Sequence, residues 1–392
     1  GQQEFTKYIP DYLGRFALWL PPAELDEVLA DLHVNLSSSD SRVTASVLDT
    51  VGVIYEEYDA YRARFPEADE AYRRRRERLL GLLMRGLSGI DGATRQEALY
   101  VLGRRVFGSG ELGRHEKRRA FMLTERKLLS AQNEFPGEGL TFYYRAAMLG
   151  KLYRFITEER LFHRGFDFGE PRPVAFFPGT FDPFTLSHKG IVKAIRDLGY
   201  EVLLAIDEFS WSKKTQPSLI RRRIASMSVA DEFHVHLFPY NIPVNIANPG
   251  DLRRLKDMFA GRELYLIVGS DVIHGASSYK APPSPDSVHS MNHIVFRRVS
   301  ALHGEEKDMD ADVGMISGKV VQLQLPSQLE DISSTRIREN IDMNRDISHL
   351  IDPVVQEYIY SDGRYLRENK FKMVLDKRTL YKELVSRPAE GL

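Results

Sequence analysis

A histidine, a threonine and a glycine turn occupy one short stretch of this chain in an order suited to holding phosphate. The stretch runs from Pro173 to His188 and opens with apolar residues, a pattern typical of a buried strand. A turn follows at Gly179, and a helical pattern begins near Ser187. A helix start supplies unpaired N–H groups and partial positive charge, and glycine lets a ligand approach the backbone closely. The sequence therefore predicts an anion site here, with His188 at its edge.

A second polar run lies far downstream, between Ile332 and Arg338. It reads Ile-Ser-Ser-Thr-Arg-Ile-Arg, so Ser333, Ser334 and Thr335 stand directly before a helical pattern. Hydroxyl side chains at a helix start satisfy its first N–H groups. The pattern predicts a helix over 335–340 that these three residues cap.

The composition limits the classes of protein to consider. The chain has 392 residues, of which 43% are hydrophobic and 28% charged, and its formal net charge is −1. These values are typical of a globular protein with about two domains, and no apolar run is long enough to span a bilayer. With no cysteine, disulfide frameworks and thiolate metal sites are excluded, and a cytoplasmic location is expected. Because the chain begins at Gly1, it is interpreted as an excised piece of a longer polypeptide.

Residues 1–168 are predicted to form an all-helical domain. Short amphipathic helices joined by capped turns favour either a HEAT-like arrangement for docking or assembly, or an irregular bundle. The run Arg73–Arg76 is interspersed with acidic neighbours, which favours a solvated helix face over a patch for nucleic acid or an acidic partner. Glycine and proline between 162 and 173 mark the domain boundary.

Strand and helix patterns alternate from residue 169 to residue 370, and a C-terminal helical extension is expected over 371–392. The predicted strands after the first are 202–206, 233–238, 264–268, 293–297 and 320–323. Such alternation predicts an α/β fold, a doubly wound Rossmann-like parallel sheet, whose ligands lie outside the carboxyl ends of the strands. Both polar runs follow strands at that edge.

The segment Gly179-Thr-Phe-Asp-Pro-Phe-Thr-Leu-Ser-His188 resembles the G-T-F-D-P-x-(H/T)-x-G-H signature of the nucleotidylyltransferase superfamily, with Ser187 in place of the last glycine. The downstream run fits that family's I-S-S-T-x-I-R motif. Residues 266–272 are similar to a segment of nicotinate/nicotinamide mononucleotide adenylyltransferases. The resemblance extends from Pro173 to about Tyr365. It departs at 275–292, where Tyr279 is left as the substitute for a tryptophan that stacks on the pyridine ring.

The resemblance implies transfer of a nucleotidyl group, in which an acceptor phosphate attacks the α-phosphorus of an NTP and pyrophosphate leaves. It makes His188 and Thr185 catalytic, together with Lys213 or Lys214. It implies Mg²⁺, carried mainly by the triphosphate. Asp182 is also interpreted as closing an Asx-turn. The nucleotide-binding residues that the resemblance implies are Gly179, Thr180, Phe181, Asp182, Gly269, Asp271, Ser333, Ser334, Thr335 and Arg338.

Three functions remain open at this point. The first is an adenylyltransferase that uses ATP and a pyridine mononucleotide, with a helical domain that docks a protein partner. The second is a cytidylyltransferase for a small phosphorylated alcohol, and the third is a nucleotide-binding scaffold with weak catalysis. Membrane and nucleic-acid partners are not expected. Pairs at His234/His236 and His289/His293 have metal-compatible spacing but no further ligand in view, so no metal site is predicted.

Overall fold

The computed structural model describes residues 9–134, 141–206, 215–239, 242, 244–296, 314–324, 326, 329, 332–343 and 345–365, with the backbone alone at 129–134, 141–147 and 149. The predicted extension over 371–392 lies outside these residues.

The first part of the chain is all-helical, as predicted. Its helices are α1 (Ile9–Ala17), α2 (Pro22–Asn35), α3 (Ser41–Glu56), α4 (Tyr58–Arg64), α5 (Asp69–Leu87), α6 (Gly92–Val101), a π-helical turn (Leu102–Phe107), α7 (Arg114–Glu134) and α8 (Thr141–Phe162). Helix α3 lies at the centre and contacts α1, α5 and α6. The HEAT-like interpretation and the domain boundaries stay predictions. None of the described helices has the length and apolar character needed to cross a bilayer.

The second part is a six-stranded parallel sheet with flanking helices, which confirms the predicted fold class. The strand order is β3-β2-β1-β4-β5-β6, so the chain reverses its direction of travel between β3 and β4 and the switch point lies between β1 and β4. The elements are β1 (Val174–Gly179), α9 (Leu186–Asp197), β2 (Glu201–Ile206), α10 (Ser218–Ser228), β3 (Val235–Leu237), α11 (Pro249–Met258), β4 (Leu264–Gly269), α12 (Ser270–Gly275), α13 (Ser277–Lys280), β5 (Asn292–Phe296), β6 (Val320–Leu323), α14 (Ser334–Asp342) and α15 (Pro353–Ser361).

Alternate residues of β1 pack into the cores on the two sides of the sheet. Ala175 and Phe177 join a core with α9, α10, α14 and α15. Val174 and Phe176 join the other core, which includes α11 and the segment around Tyr279. A strand in the middle of a parallel sheet is buried on both faces, and this explains the uninterrupted apolar run in the sequence.

The strand predicted over 233–238 is shorter than expected, because only Val235–Leu237 pair with β2. Phe233 is instead buried in the core of the N-terminal helices. Gly81 of α5 permits this close approach, since a Cβ at that position would come within 3.2 Å of the Asp231 Cβ. The two parts of the chain therefore share apolar packing.

The interpretation of the arginine run as a solvated helix face is wrong for two of its members. Arg76 is 1% exposed and its Nη2 lies 2.8 Å from Asp59. Arg75 makes paired contacts with Asp26 at 2.8 and 2.9 Å. Helical periodicity aims consecutive residues in different directions, so two of the four side chains point inward and must find carboxylates.

A buried cluster of four charged side chains joins the helical part to the sheet, and we call it the junction cluster: Arg85, Lys189, Asp231 and Asp352. Arg85 Nη1 and Nη2 contact the Asp352 carboxylate at 2.9 and 2.7 Å. Lys189 Nζ lies 3.0 Å from Asp231 and 3.2 Å from Asp352. Burial alone would raise the pKa of Asp352, but the charges of Arg85 and Lys189 outweigh it and hold that pKa below 3.8.

Removal of Arg85 leaves two buried carboxylates facing one lysine. We expect Arg85→Ala to lower the free energy of unfolding by about 3–5 kcal/mol, as for a buried ion pair that loses one partner. Arg74→Ala is the matched control on the same helix, because Arg74 pairs with Glu70 in solvent. It should change stability by less than about 1 kcal/mol. Urea unfolding measures both, and equal losses would contradict the role of the junction cluster.

Candidate functional site

A cleft of about 410 Å³ opens at the carboxyl ends of β1, β4 and β5, the edge at which the sequence predicts ligands. The predicted nucleotide-binding residues all line it, although they come from separate parts of the chain. They are Gly179, Thr180, Phe181, Asp182, Gly269, Asp271, Ser333, Ser334, Thr335 and Arg338, and His188 joins them. The two polar runs of the sequence thus meet across one cleft.

Gly179, at the end of β1, lies directly against the side chain of Phe181. A Cβ at this position would lie 2.8 Å from the ring of Phe181. Phe181 itself has a positive φ of 45°, an uncommon conformation for a phenylalanine, and its ring is 4% exposed. Glycine at 179 thus makes room for the Phe181 ring, and its predicted role in the close approach of a ligand stays a prediction.

The imidazole of His188 is held among three phenylalanine rings. The ring centroids lie 5.1 Å away for Phe181, 5.3 Å for Phe184 and 6.3 Å for Phe177. His188 is 6% exposed and stands in the first turn of α9. Close packing on several sides leaves the ring little rotational freedom, so its position at the cleft is determined before any ligand binds.

Hydrogen bonds with Thr185 determine the tautomer of His188. The Thr185 backbone N–H donates to His188 Nδ1 at 3.0 Å, so Nδ1 is an acceptor and carries no proton. The neutral imidazole then carries its proton on Nε2. In return, the His188 backbone N–H donates to Thr185 Oγ1 at 3.2 Å, completing a capping box at the start of α9.

Thr185 does not line the cleft, and this corrects its predicted catalytic role. It is 1% exposed, and its hydroxyl lies 2.9 Å from His188 Nδ1. Its side chain positions His188 and caps the helix. Ser187, at the place of the family's glycine, is also buried, within the same first turn.

Helix α14 also begins at the cleft, one residue earlier than predicted. The Ser333 hydroxyl is its N-cap and accepts from the Arg336 N–H at 3.2 Å. Ser334 Oγ donates to the Pro183 carbonyl at 2.8 Å, which ties α14 to the loop after β1. As the first two helical residues, Ser334 and Thr335 have backbone N–H groups without an acceptor inside the helix.

Arg338 connects α14 to the loop in front of α9. Its Nη1 donates to the Asp182 carbonyl, and its Nη2 lies 3.1 Å from Thr335 Oγ1. Asp182 is 4% exposed and its carboxylate accepts from the Gln216 N–H at 3.2 Å. Burial raises the pKa of Asp182. These bonds close this wall of the cleft and give Asp182 a structural role, although it does not form the predicted Asx-turn.

The end of β4 contributes the remaining predicted residues. A Cβ on Gly269 would lie 3.3 Å from the Phe296 ring and still closer to Asp271 Oδ1, so glycine is needed there. Asp271 is exposed in the first turn of α12 and lines the cleft. Phe296, at the end of β5, is a lining residue that the sequence analysis missed, because nothing in its own segment marks it as more than a strand residue.

The predicted catalytic residues Lys213 and Lys214 lie outside the described residues. Tyr279 does not take the place of a stacking aromatic, because it is 1% exposed in the core and its hydroxyl is 2.8 Å from His293 Nε2. Among the described residues no group of three or more His, Asp or Glu side chains that could hold a metal ion occurs.

The segment 244–246 is a part of the cleft that the sequence did not reveal. Val244, Asn245 and Ile246 line it opposite β4. The Asn245 amide oxygen accepts from the Ala247 N–H at 2.9 Å, so this loop is ordered by its own side chain. The signal in the sequence was the asparagine and proline content of 240–249, which indicates a loop but not what the loop faces.

Comparisons with known proteins find similar proteins over the sheet-bearing half of the chain. Residues 176–340 match a family model described as Cytidylyltransferase-like. A "Probable nicotinate-nucleotide adenylyltransferase" of Caldicellulosiruptor bescii is 23% identical over 201 residues, which is 50% of this chain and 99% of that protein. A protein of Dictyoglomus turgidum with the same name is 24% identical over 216 residues, or 50% of this chain and 97% of its own length.

A solved structure of the Plasmodium falciparum nicotinic acid mononucleotide adenylyltransferase complexed with APC matches with 19% identity and a TM-score of 0.41. The match covers 50% of this chain and 97% of that one. The complex of the same enzyme with NaAD matches with 19% identity and a TM-score of 0.39 over the same shares.

Loss of the Thr185 side chain should loosen both the helix and the imidazole. We expect Thr185→Ala to lower the free energy of unfolding by about 1 kcal/mol, as for other lost N-caps. Thr185→Ser keeps the hydroxyl and should stay near wild type. Thermal or urea unfolding of the two variants measures this difference, and equal stability of Ala and Ser variants would contradict the capping box.

Proposed function

Because the sheet-bearing part of this chain belongs to the nucleotidylyltransferase superfamily, we propose that the cleft transfers a nucleotidyl group from an NTP to a phosphate-bearing acceptor. The observation that carries the proposal is the meeting of donors from two elements at one cleft. The held imidazole of His188 and the start of α14 both line it. Both are suited to phosphate oxygens.

The acceptor's phosphate oxygen attacks the α-phosphorus, and the bond from that phosphorus to the pyrophosphate oxygen breaks. A phosphate dianion is itself a nucleophile, so no protein base has to remove a proton. Catalysis then consists of positioning the two reactants and stabilising the charge on the α-phosphate oxygens. His188 would donate its Nε2 proton in a hydrogen bond to one of those oxygens, and Thr185 would keep the proton on that nitrogen.

The leaving pyrophosphate would bind at the start of α14. The Ser334 and Thr335 N–H groups and the positive end of the helix suit the β- and γ-phosphates. Arg338 supplies a guanidinium next to them, and its bonds to Asp182 and Thr335 hold it in place. Lys213 and Lys214 remain proposed as further cations, from outside the described residues.

Mg²⁺ fits this cleft as an ion carried by the triphosphate. The two carboxylates at the cleft are Asp182, which is buried and bonded to the protein, and Asp271, which is exposed. Two such groups do not make a carboxylate cage among the described residues, whereas triphosphate oxygens provide ligands that Mg²⁺ prefers. When bound, the ion would neutralise charge on the phosphates.

For the substrates, ATP and nicotinate or nicotinamide mononucleotide are the first choice, supported by the names of the two curated relatives. The buried position of Tyr279 means that a pyridine ring would have to be held by other residues. Phe296 and the loop 244–246 line the cleft and are proposed for that part. A cytidylyl transfer to a small phosphorylated alcohol is the second choice, favoured by the family model's description.

The test is pyrophosphate release by the purified chain with Mg²⁺, using ATP or CTP and a panel of acceptors that includes both pyridine mononucleotides. We expect release with ATP and a pyridine mononucleotide, and a decrease of about 10²–10³-fold in kcat for His188→Ala, the usual effect of losing one transition-state donor. His289→Ala is a control histidine that lies away from the cleft.

Each result has a definite meaning. Release with CTP alone would replace the first substrate choice with the second. ATP binding without release, for all acceptors, would contradict the enzymatic proposal and favour the nucleotide-binding scaffold. Full activity of His188→Ala would remove His188 from the mechanism.

A further inference from the structure

A second cleft lies within the helical part of the chain, away from the sheet, and nothing in the proposed transfer reaction uses it. Its volume is about 530 Å³, within the range of about 300–1,000 Å³ typical of small-molecule sites. It opens where the π-helical turn ends at Gly108 and α7 begins at Arg114. We call it the helical cleft.

Two lysine ammonium groups converge on the same short loop at the helical cleft. Lys117 Nζ donates to the Ser109 carbonyl. Lys151 Nζ lies 3.3 Å from the position that a Gly108 Cβ would take, and it has no carboxylate partner among the described residues. A Cβ at Gly108 would come closest to the Gly103 carbonyl oxygen, at 2.5 Å, so glycine is needed there because of the backbone, and the Lys151 side chain lies against the same loop. Two like charges on neighbouring residues repel each other unless an anion lies between or over them.

The carboxylates at the helical cleft are already occupied. Glu159 is 2% exposed and accepts from Arg114 Nε at 2.7 Å. Glu158 pairs with Arg154 at 2.8 Å. Each of these two ion pairs is neutral by itself, so the positive charges of Lys117 and Lys151 are left in excess. The positive end of α7 adds to the potential at the same rim.

One part of the lining of the helical cleft is apolar, and we call it the apolar wall. It is formed by Phe107, Leu112 and Phe155, which are otherwise packed in the core of the helical part, and the centroids of the two phenylalanine rings lie 5.8 Å apart. A simple inorganic anion would leave this wall in contact with water. A ligand with one doubly charged end and an apolar or aromatic body would match the two lysines and the wall together.

We propose that the helical cleft binds a phosphate monoester of a small organic molecule, with its phosphate on Lys117 and Lys151 and its carbon part against Phe107 and Phe155. The two ammonium charges equal the charge of a phosphate monoester dianion near neutral pH. This site is independent of the cleft at the sheet, so it gives the helical part a ligand of its own.

The experiment measures lysine acetylation of the full chain by an N-hydroxysuccinimide ester, residue by residue, by mass spectrometry. The probes are adenosine 5′-monophosphate, nicotinamide mononucleotide and glycerol 3-phosphate, with adenosine and inorganic phosphate as comparisons. At about four times its dissociation constant, a bound monoester should slow acetylation of both Lys117 and Lys151 about fivefold, since mass action leaves about one site in five open. Lys280, which is exposed on α13 and lines neither cleft, is the reference and should react at an unchanged rate.

Protection of both lysines by at least one monoester, with no protection by adenosine, supports the proposal. The proposal is overturned if no monoester protects them at millimolar concentration, or if inorganic phosphate or adenosine protects them equally well. The matched variants are Lys151→Gln, which should abolish the protection of Lys117, and Lys151→Arg, which should retain it. Pyrophosphate release should be the same in both variants, so failure here is separate from failure of the proposed reaction.

Discussion

Four charges that cannot be left unpaired hold this molecule together at its centre. In the junction cluster, Arg85 comes from the helical part, Lys189 from α9, Asp231 from the loop after α10, and Asp352 from the start of α15. Removing such groups from water costs several kcal/mol for each ion, and close pairing is what offsets the cost. Each carboxylate contacts both cations. If one of the four elements shifted alone, a charged side chain would lose its partner while still buried away from water. The relative position of four elements is thus linked to one set of ion pairs.

The candidate site depends on this arrangement through α9. Lys189 follows His188 directly, so the residue next to the imidazole is anchored in the junction cluster. The Leu186 N–H also donates to the Leu350 carbonyl at 3.0 Å, which joins the first turn of α9 to the segment before Asp352. The first turn of α9 is therefore held by two sets of contacts: the ion pairs of Lys189 in the junction cluster, and the packing of the phenylalanine rings around His188. The helical part is connected to the site in this way, although none of its described residues lines the cleft.

The fold of the sheet and most of the residues that line the cleft could be predicted from the sequence, because both depend on local sequence patterns. Strand–turn–helix alternation places residues such as Gly179 and Ser333 at the same sheet edge whatever the rest of the chain does. Pairing between distant residues leaves no such signal: Arg85 and Asp352 are 267 positions apart. The roles of Thr185 and Tyr279 were mistaken for a related reason. The type of a residue shows whether its side chain could contact a ligand, but tertiary packing determines whether that side chain faces the cleft or the core.

The most direct test of this account is hydrogen exchange of backbone amides in Arg85→Met and in Arg74→Met, compared with the wild-type chain under native conditions. If the junction cluster holds the helix that carries His188, Arg85→Met accelerates exchange in α9 and at the start of α15 as well as in α5, and Arg74→Met leaves α9 and α15 unchanged. Acceleration confined to α5 would contradict the account, because His188 would then be held by its own domain alone.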